Sequence, residues 1–301
     1  MKKEVFGTIL ALLTAIISGF AIPVNKIFVV NLDPTVFTAV RAVIVGFVFL
    51  LLSFATGSFR VENLKTNWKY LALIALLGGS FAFLLFFTGL KFTTGGRAAF
   101  LHKTLPLYIA VFAFLFLKER IPRKQVYALI LMFIGTILLF SAKINPADLW
   151  LNPQLGDMLV IGATILWALE NVIARKAMIN GETNFAVSFA RMFFGGVILF
   201  GVVLLLGKFD LLLSLSAQQW TNIFVSVSIL FGYVLCWYWS IRYINVSKAS
   251  ILLLLAPVVS LILGVVWFGE PVPVLQLAGS ALILIGAYFV IRIRSEFVTG
   301  V

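Results

Sequence analysis

Residues 97–124 read RAAFLHKTLPLYIAVFAFLFLKERIPRK, and residues 248–275 read KASILLLLAPVVSLILGVVWFGEPVPVL. Pro106 aligns with Pro257, Glu119 with Glu270 and Pro122 with Pro273, each pair 151 positions apart. The copies differ in two ways. Lys118, Arg120, Arg123 and Lys124 surround the exit of the first, where the second has Gly269, Pro271, Val274 and Leu275. His102 and Lys103 interrupt the first apolar run, where the second has Leu253 and Leu254. The first difference reads as membrane orientation, the second as a binding site.

Outward from this stretch the same correspondence continues. Lys91 matches Arg242, Arg97 matches Lys248 and Gly135 matches Gly286 at a spacing of 151, while Arg41 matches Arg191 and Gly46 matches Gly196 at 150. A near-constant spacing across so many apolar segments is an internal repeat of about half the chain. The 301 residues are 62% hydrophobic and 11% charged. A soluble fold of this size has too little interior for that much apolar side chain. Apolar runs of about 18 residues or more recur throughout, which predicts transmembrane helices rather than the short alternating strands of a membrane barrel.

Ten spans are predicted, at 7–30, 35–55, 70–90, 98–117, 125–142, 158–177, 185–206, 223–240, 249–268 and 275–291. The longest polar connection, KINPADLWLNPQLGD, divides a first five-helix unit (1–142) from a second (158–301) across a linker at 143–157. The first span begins like a signal peptide, but its continuation to Val30 and its place in the repeat predict a retained helix. Five crossings per half require the second half to insert upside down. With both termini cytoplasmic, fifteen Lys and Arg fall in inner segments and four (Lys91, Arg97, Lys143, Lys208) in outer ones, the bias expected of a plasma-membrane protein. The fold expected is an all-α integral membrane protein of ten transmembrane helices in two inverted five-helix repeats, the plan of many secondary transporters. The net charge of +12 then reflects cytoplasmic loops rather than a nucleic-acid partner.

Ten spans, a five-plus-five repeat, a proline inside spans four and nine and a Glu-x-x-Pro exit from each resemble the EamA-type transporters of the drug/metabolite transporter superfamily, YddG-like amino-acid exporters among them. The resemblance covers nearly the whole chain. It implies alternating access through a central cavity lined by both halves, and export of a small metabolite. His102–Lys103 departs from the family pattern, where small or apolar residues are expected.

Four cations remain inside the spans: Lys26, Arg41, Lys103 and Arg191. A charge near the bilayer centre costs at least about 2.5–3.5 kcal/mol, so each needs a reason. Arg41 and Arg191 are repeat mates and are expected as structural charges that satisfy backbone carbonyls or snorkel. Lys26 is expected to snorkel, and Asn25 beside it, after a kink at Pro23, is a cavity candidate. Lys103 has a leucine as its mate and is expected in the cavity, the alternative being a structural partner. His102 points about 100° away on a continuous helix, so the two cannot both face one direction; it is either a cavity group or a packed, hydrogen-bonded one.

Glu170 is the one acid deep in a span, with Asn171 adjacent and Trp167 one turn before. It is the candidate for proton coupling or for binding a substrate amine, the alternative being an ion pair with Lys103 roughly 10 Å nearer the outer face at about 1.5 Å per residue. Trp237, Tyr238 and Trp239 are expected in the interfacial aromatic belt, with Tyr238 as a possible vestibule wall. Glu119 and Glu270, each just before a proline, are expected to favour the N-terminus of the helix that follows.

Other classes fit less well. An intramembrane hydrolase needs a paired nucleophile and base, and neither HExxH nor a GxSG-type motif occurs. GxxxxGK[ST] is absent, so no nucleotide site is expected. A receptor or scaffold would not need inverted symmetry. With one cysteine, Cys236, and one histidine, no metal site and no cofactor are expected. The partners expected are a small-molecule substrate bearing a carboxylate, such as an amino acid, and the lipid bilayer; pairing of two copies stays open.

Overall fold

The computed structural model describes residues 2–28, 32–58, 61–142 and 144–294, with backbone alone at 22, 23, 25–28, 61 and 63–65. Ten of its helices are long and apolar enough to cross a membrane, and no strand occurs among the described residues. The spans are Lys2–Ala21, Pro34–Ala55, Thr66–Gly89, Gly95–Leu117, Arg123–Ser141, Leu155–Ile179, Asn184–Leu205, Ala217–Tyr243, Val246–Phe268 and Val274–Arg292. Helix three starts earlier than hydropathy predicts, at Val61, with the acidic Glu62 in its first turn. Pro23, Asn25 and Lys26 carry no described side chain, so the expectations placed on them lie outside the described residues.

The spacing found in the sequence reappears in the backbone. Span four is two helices, Gly95–His102 and Leu105–Leu117; span nine breaks likewise into Val246–Leu252, a 3-10 turn Leu253–Leu255, and Ala256–Phe268. Each second piece starts with proline inside its first turn. Pro106 and Pro257 offer no amide to the preceding turn, and their rings crowd the carbonyl four residues back, so the helix cannot run through. Both pieces end on a left-handed residue, Lys118 at φ 56° and Gly269 at φ 62°.

Helix contacts are also reciprocal. A Cβ at Gly135 would overlap Gly279 and Ile283, and one at Gly286 would overlap Ala128 and Met132, which are the repeat mates of those partners. In the same way Gly46 abuts Phe193, while its mate Gly196 abuts Val43. Small residues let helices approach closely where apolar lipid gives no other drive to associate.

Ion pairs clasp the span ends, in the same reciprocal manner. Arg97, at the start of span four, pairs with Asp157 of span six and also donates to Asn152 O (3.0 Å). Its mate Lys248, at the start of span nine, pairs with Glu4 of helix one at 3.1 Å. Both cations are buried, so they are interior clasps rather than the loop charges of the sequence count.

Glu119 does not serve the helix that follows it. Its carboxylate accepts from Val246 N (3.3 Å), Ser247 N (3.5 Å) and Ser247 Oγ (3.0 Å), at the start of span nine in the other half. The left-handed turn at Lys118 sends the chain back across the helix ends and aims the side chain there. Burial pushes this carboxyl above its ordinary value, with the Ser247 bond and the Arg175 charge acting against the shift. Its mate Glu270 is only half-buried.

Candidate functional site

A cavity of about 310 Å³ lies between the two halves. The chain break caused by Pro106 shapes one wall. After His102 the backbone takes tight turns, with Lys103 N donating to Phe100 O (2.9 Å) and Thr104 N to Leu101 O (3.1 Å). The continuous-helix separation of His102 and Lys103 therefore does not hold, and both side chains line the cavity. Lys103 is 7% exposed and has neither ion pair nor hydrogen-bond partner among the described residues. His102 packs edge-on to Trp167, 5.1 Å between centroids, and near Phe86 at 5.9 Å.

Arg41 and Arg191, expected as structural charges, both line the cavity too. Arg41 stacks over the Phe37 ring at 4.2 Å and donates to Ser226 Oγ at 2.9 Å; its buried Nε has no partner. Arg191 sits in a π-helical turn, Ala190–Phe194, that packs against a second one, Leu77–Phe81, through Gly195 and Gly79. Single π turns inside α-helices recur at functional sites. Ser80 Oγ donates to Leu76 O at 2.8 Å and so satisfies a carbonyl beside that turn, as backbone in lipid requires.

Glu170 and Tyr238 stand behind the cavity wall, fully buried. The Tyr238 hydroxyl donates to Glu170 Oε1, and Arg191 Nη1 donates to the same hydroxyl at 3.3 Å. Arg191 Nη1 lies 3.8 Å from Glu170 Oε2, an oxygen with no hydrogen bond of its own. Glu170 reaches this place because Gly78 has no side chain; a Cβ there would overlap it. The acid thus pairs with Arg191, and no Lys103–Glu170 pair forms.

Asn171 lines the cavity and is locked in place: its Nδ2 donates to Trp167 O (2.7 Å), and its Oδ1 accepts from Trp237 Nε1. Trp167, also on the wall, donates to Gly78 O at 3.1 Å. Trp237 and Tyr238 are therefore interior rings, not part of an interfacial belt. Their indole N–H and hydroxyl need partners that only the buried Asn171 and Glu170 supply, which overrides their position near a span end. Arg41 and Arg191 were visible in sequence as span charges, but nothing there placed them in one cavity. Among the described residues no group of three His, Cys, Asp or Glu could hold a metal ion.

The cavity reaches from the seam of the halves toward one face of the bundle. Phe86 and Phe87 lie within three residues of the end of span three, on the face that carries the turn after Gly89. On the opposite face Ile244, Val246, Ser247 and Glu119 are buried, whereas Gly95, the mate of Val246, is exposed.

Comparison with known proteins agrees with this architecture. The model of the EamA-like transporter family matches twice, at residues 5–141 and 154–292. The chain is 30% identical over 278 residues to the uncharacterized transporter YyaM of Bacillus subtilis (strain 168), covering 90% of this chain and 89% of that one. It is 29% identical to a probable amino-acid metabolite efflux pump of Salmonella typhimurium (strain LT2), covering 95% of each. A solved crystal structure that is 21% identical, covering 94% of this chain and 95% of its own, has the same fold with a TM-score of 0.75.

Proposed function

This chain belongs to the EamA-like transporter family, and we propose that it is a secondary transporter that exports a small carboxylate-bearing metabolite, such as an amino acid, by alternating access. It is a multi-pass membrane protein; the plasma membrane, with both termini cytoplasmic, is the location that fits the charge bias. One observation carries the mechanism: a charged cavity at the seam of the halves, reaching toward one face, while Glu119 and the start of span nine close the other.

The two units at 1–142 and 158–301 are inverted repeats in this reading. Support comes from the reciprocal contacts, because partners that exchange under the repeat imply a two-fold relation. For spans five and ten the exchanging positions lie seven residues apart, Gly135 on Gly279 and Ala128 on Gly286. At about 1.5 Å per residue that offset suits antiparallel neighbours, not parallel ones.

Glu170 is the proton-coupling group in this reading. It is a fully buried acid whose charge partner lines the cavity, so substrate arrival and proton loss act on the same Arg191. Purified protein in proteoliposomes tests the whole. A pH gradient should drive uptake or counterflow of an amino acid or carboxylate. In Glu170→Gln, gradient-driven transport should vanish while substrate exchange persists. Absence of any substrate flux across a broad metabolite panel rejects the transport reading. Unchanged pH dependence in Glu170→Gln rejects the coupling role. Cysteine labelling of Gly300→Cys from outside, or of Asn152→Cys from the cytoplasm, rejects the orientation.

A further inference from the structure

We infer that the substrate is a small organic dianion with an apolar body, one charge held by Arg41 and the other by Lys103; the inference rests on the transport reading and narrows its carboxylate-bearing substrate to dianions, in place of the zwitterionic amino acid, in the same cavity.

The repeat makes the case. Arg41 and Arg191 are mates and line one cavity, but their surroundings differ. Arg191 has Glu170 at 3.8 Å and the Tyr238 hydroxyl at 3.3 Å. The position equivalent to Glu170 in the first half is apolar, around Phe20 and Ala21. Arg41 accordingly has a neutral hydroxyl and an aromatic face, with no carboxylate within ion-pair distance among the described residues; the buried Nε is unpartnered in both arginines, so the carboxylate is what separates them. A guanidinium keeps its proton in any protein environment, so this charge stays and lacks a counter-charge.

Lys103 is the second basic group without a counter-charge. Its mate is Leu254, so it is no part of the shared fold, and it too has no partner among the described residues. With Arg191 balanced by Glu170, the cavity holds two positive charges that nothing in the described chain offsets. A carboxylate from the substrate gives Arg41 what Glu170 gives Arg191, and a second acidic group meets Lys103. Two charges buried without partners are costly, and an incoming dianion recovers that cost as affinity. A zwitterion brings only one negative charge, and its ammonium finds no free acid on the wall. The remaining wall includes Phe83, Phe86, Phe87 and Trp167, which suits a flat apolar body between the two acids.

The test uses three probes on a phenyl scaffold at pH 7.5: phenylsuccinate as dianion, 4-phenylbutyrate as monoanion and phenylalanine as zwitterion. Thermal unfolding of the purified full chain against probe concentration gives each affinity. Phenylsuccinate should bind at least about tenfold more tightly than either other probe, the worth of one added charge-assisted contact. Arg41→Gln and Lys103→Met should each abolish that preference while 4-phenylbutyrate still binds; Arg41→Lys, which keeps the charge, should retain it and guards against misfolding of Arg41→Gln. Equal or tighter binding of phenylalanine or 4-phenylbutyrate overturns the inference, as does a preference that survives in either charge-removing variant, or no binding by any probe. Counterflow separates the two readings: transport of a zwitterion or monoanion with no dianion preference leaves the transporter standing and removes only the dianion.

Discussion

The Tyr238 hydroxyl donates a 2.5 Å hydrogen bond to Glu170 Oε1, joining span eight to span six behind the cavity. The same hydroxyl accepts from Arg191 of span seven. Three spans thus meet at one phenolic oxygen, and the acid that would carry a proton is held by a group that can follow the arginine.

Tyr238→Phe removes the donor and leaves a buried carboxylate with a weaker shell. It should cost about 1.5–3 kcal/mol, the range for hydrogen bonds to charged groups. In Glu170→Gln the same change should cost less, because the acceptor is then neutral. A double-mutant cycle on thermal stability measures the difference; additive effects would show that the short contact contributes nothing specific.

In the alternating-access reading Glu119 closes one face by accepting from Val246 and Ser247. Glu119→Ala should expose that face, so that Val246→Cys, buried in the parent, labels at least about tenfold faster, in proportion to the loss of a charge-assisted bond. Under alternating access the mate Glu270 takes the corresponding amides of Gly95 and Gly96 in the opposite state. Glu270→Ala should then leave Val246→Cys protected and slow counterflow. Equal labelling in Glu119→Ala and the parent would remove Glu119 from the closure.

Lys118 is the one non-glycine residue with positive φ among the described residues, and its mate is Gly269. A side chain in this region costs about 1–2 kcal/mol. Lys118→Gly should therefore raise the unfolding temperature, with most of that penalty relieved and a little returned through the freer unfolded chain. A fall in stability would mean that the lysine side chain contributes contacts worth more than the strain.

Asp33 caps span two through Thr35 N (2.9 Å) and pairs with Lys208 at 2.6 Å. Burial pushes its carboxyl upward, but the Lys208 bond and charge together with the Val36 and Thr35 amides outweigh it and hold the value below the usual 3.8. The stability this gives is complete above the unfolded value and is lost as pH falls through the lower folded one. Asp33→Asn keeps the cap and removes the charge, costing up to about 1 kcal/mol at neutral pH. Asp33→Ala should cost about 1 kcal/mol more. The gap between wild type and Asp33→Asn, followed by thermal unfolding, should close as pH drops below 3.8; a gap independent of pH would assign the effect to packing.

Ten spans and the internal repeat were legible in the chain itself, for one reason: in lipid every backbone amide must be satisfied within its own segment, so apolar length alone specifies a helix. Pro106 and Pro257, Glu119 and Glu270, and the 151-residue spacing needed no coordinates. Lys103 stood out because a charge inside an apolar run is costly wherever the run folds. What the chain could not show was which charges meet. Glu170, Arg191 and Tyr238 lie on three spans, with the acid and the phenol 68 positions apart in the chain. Their convergence depends on two π turns and on Gly78, whose missing Cβ makes room for the carboxylate. Nor could hydropathy tell that Trp237 and Tyr238 turn inward, since an aromatic ring at a span end suits water, lipid or interior equally until a partner for its polar atom is in place. The sequence thus determined the helices, their number and their pairing into halves. The tertiary structure alone decided that, among the described residues, Arg191 has a carboxylate partner and Arg41 has none, because charge balance depends on distance across helices and leaves no trace along one.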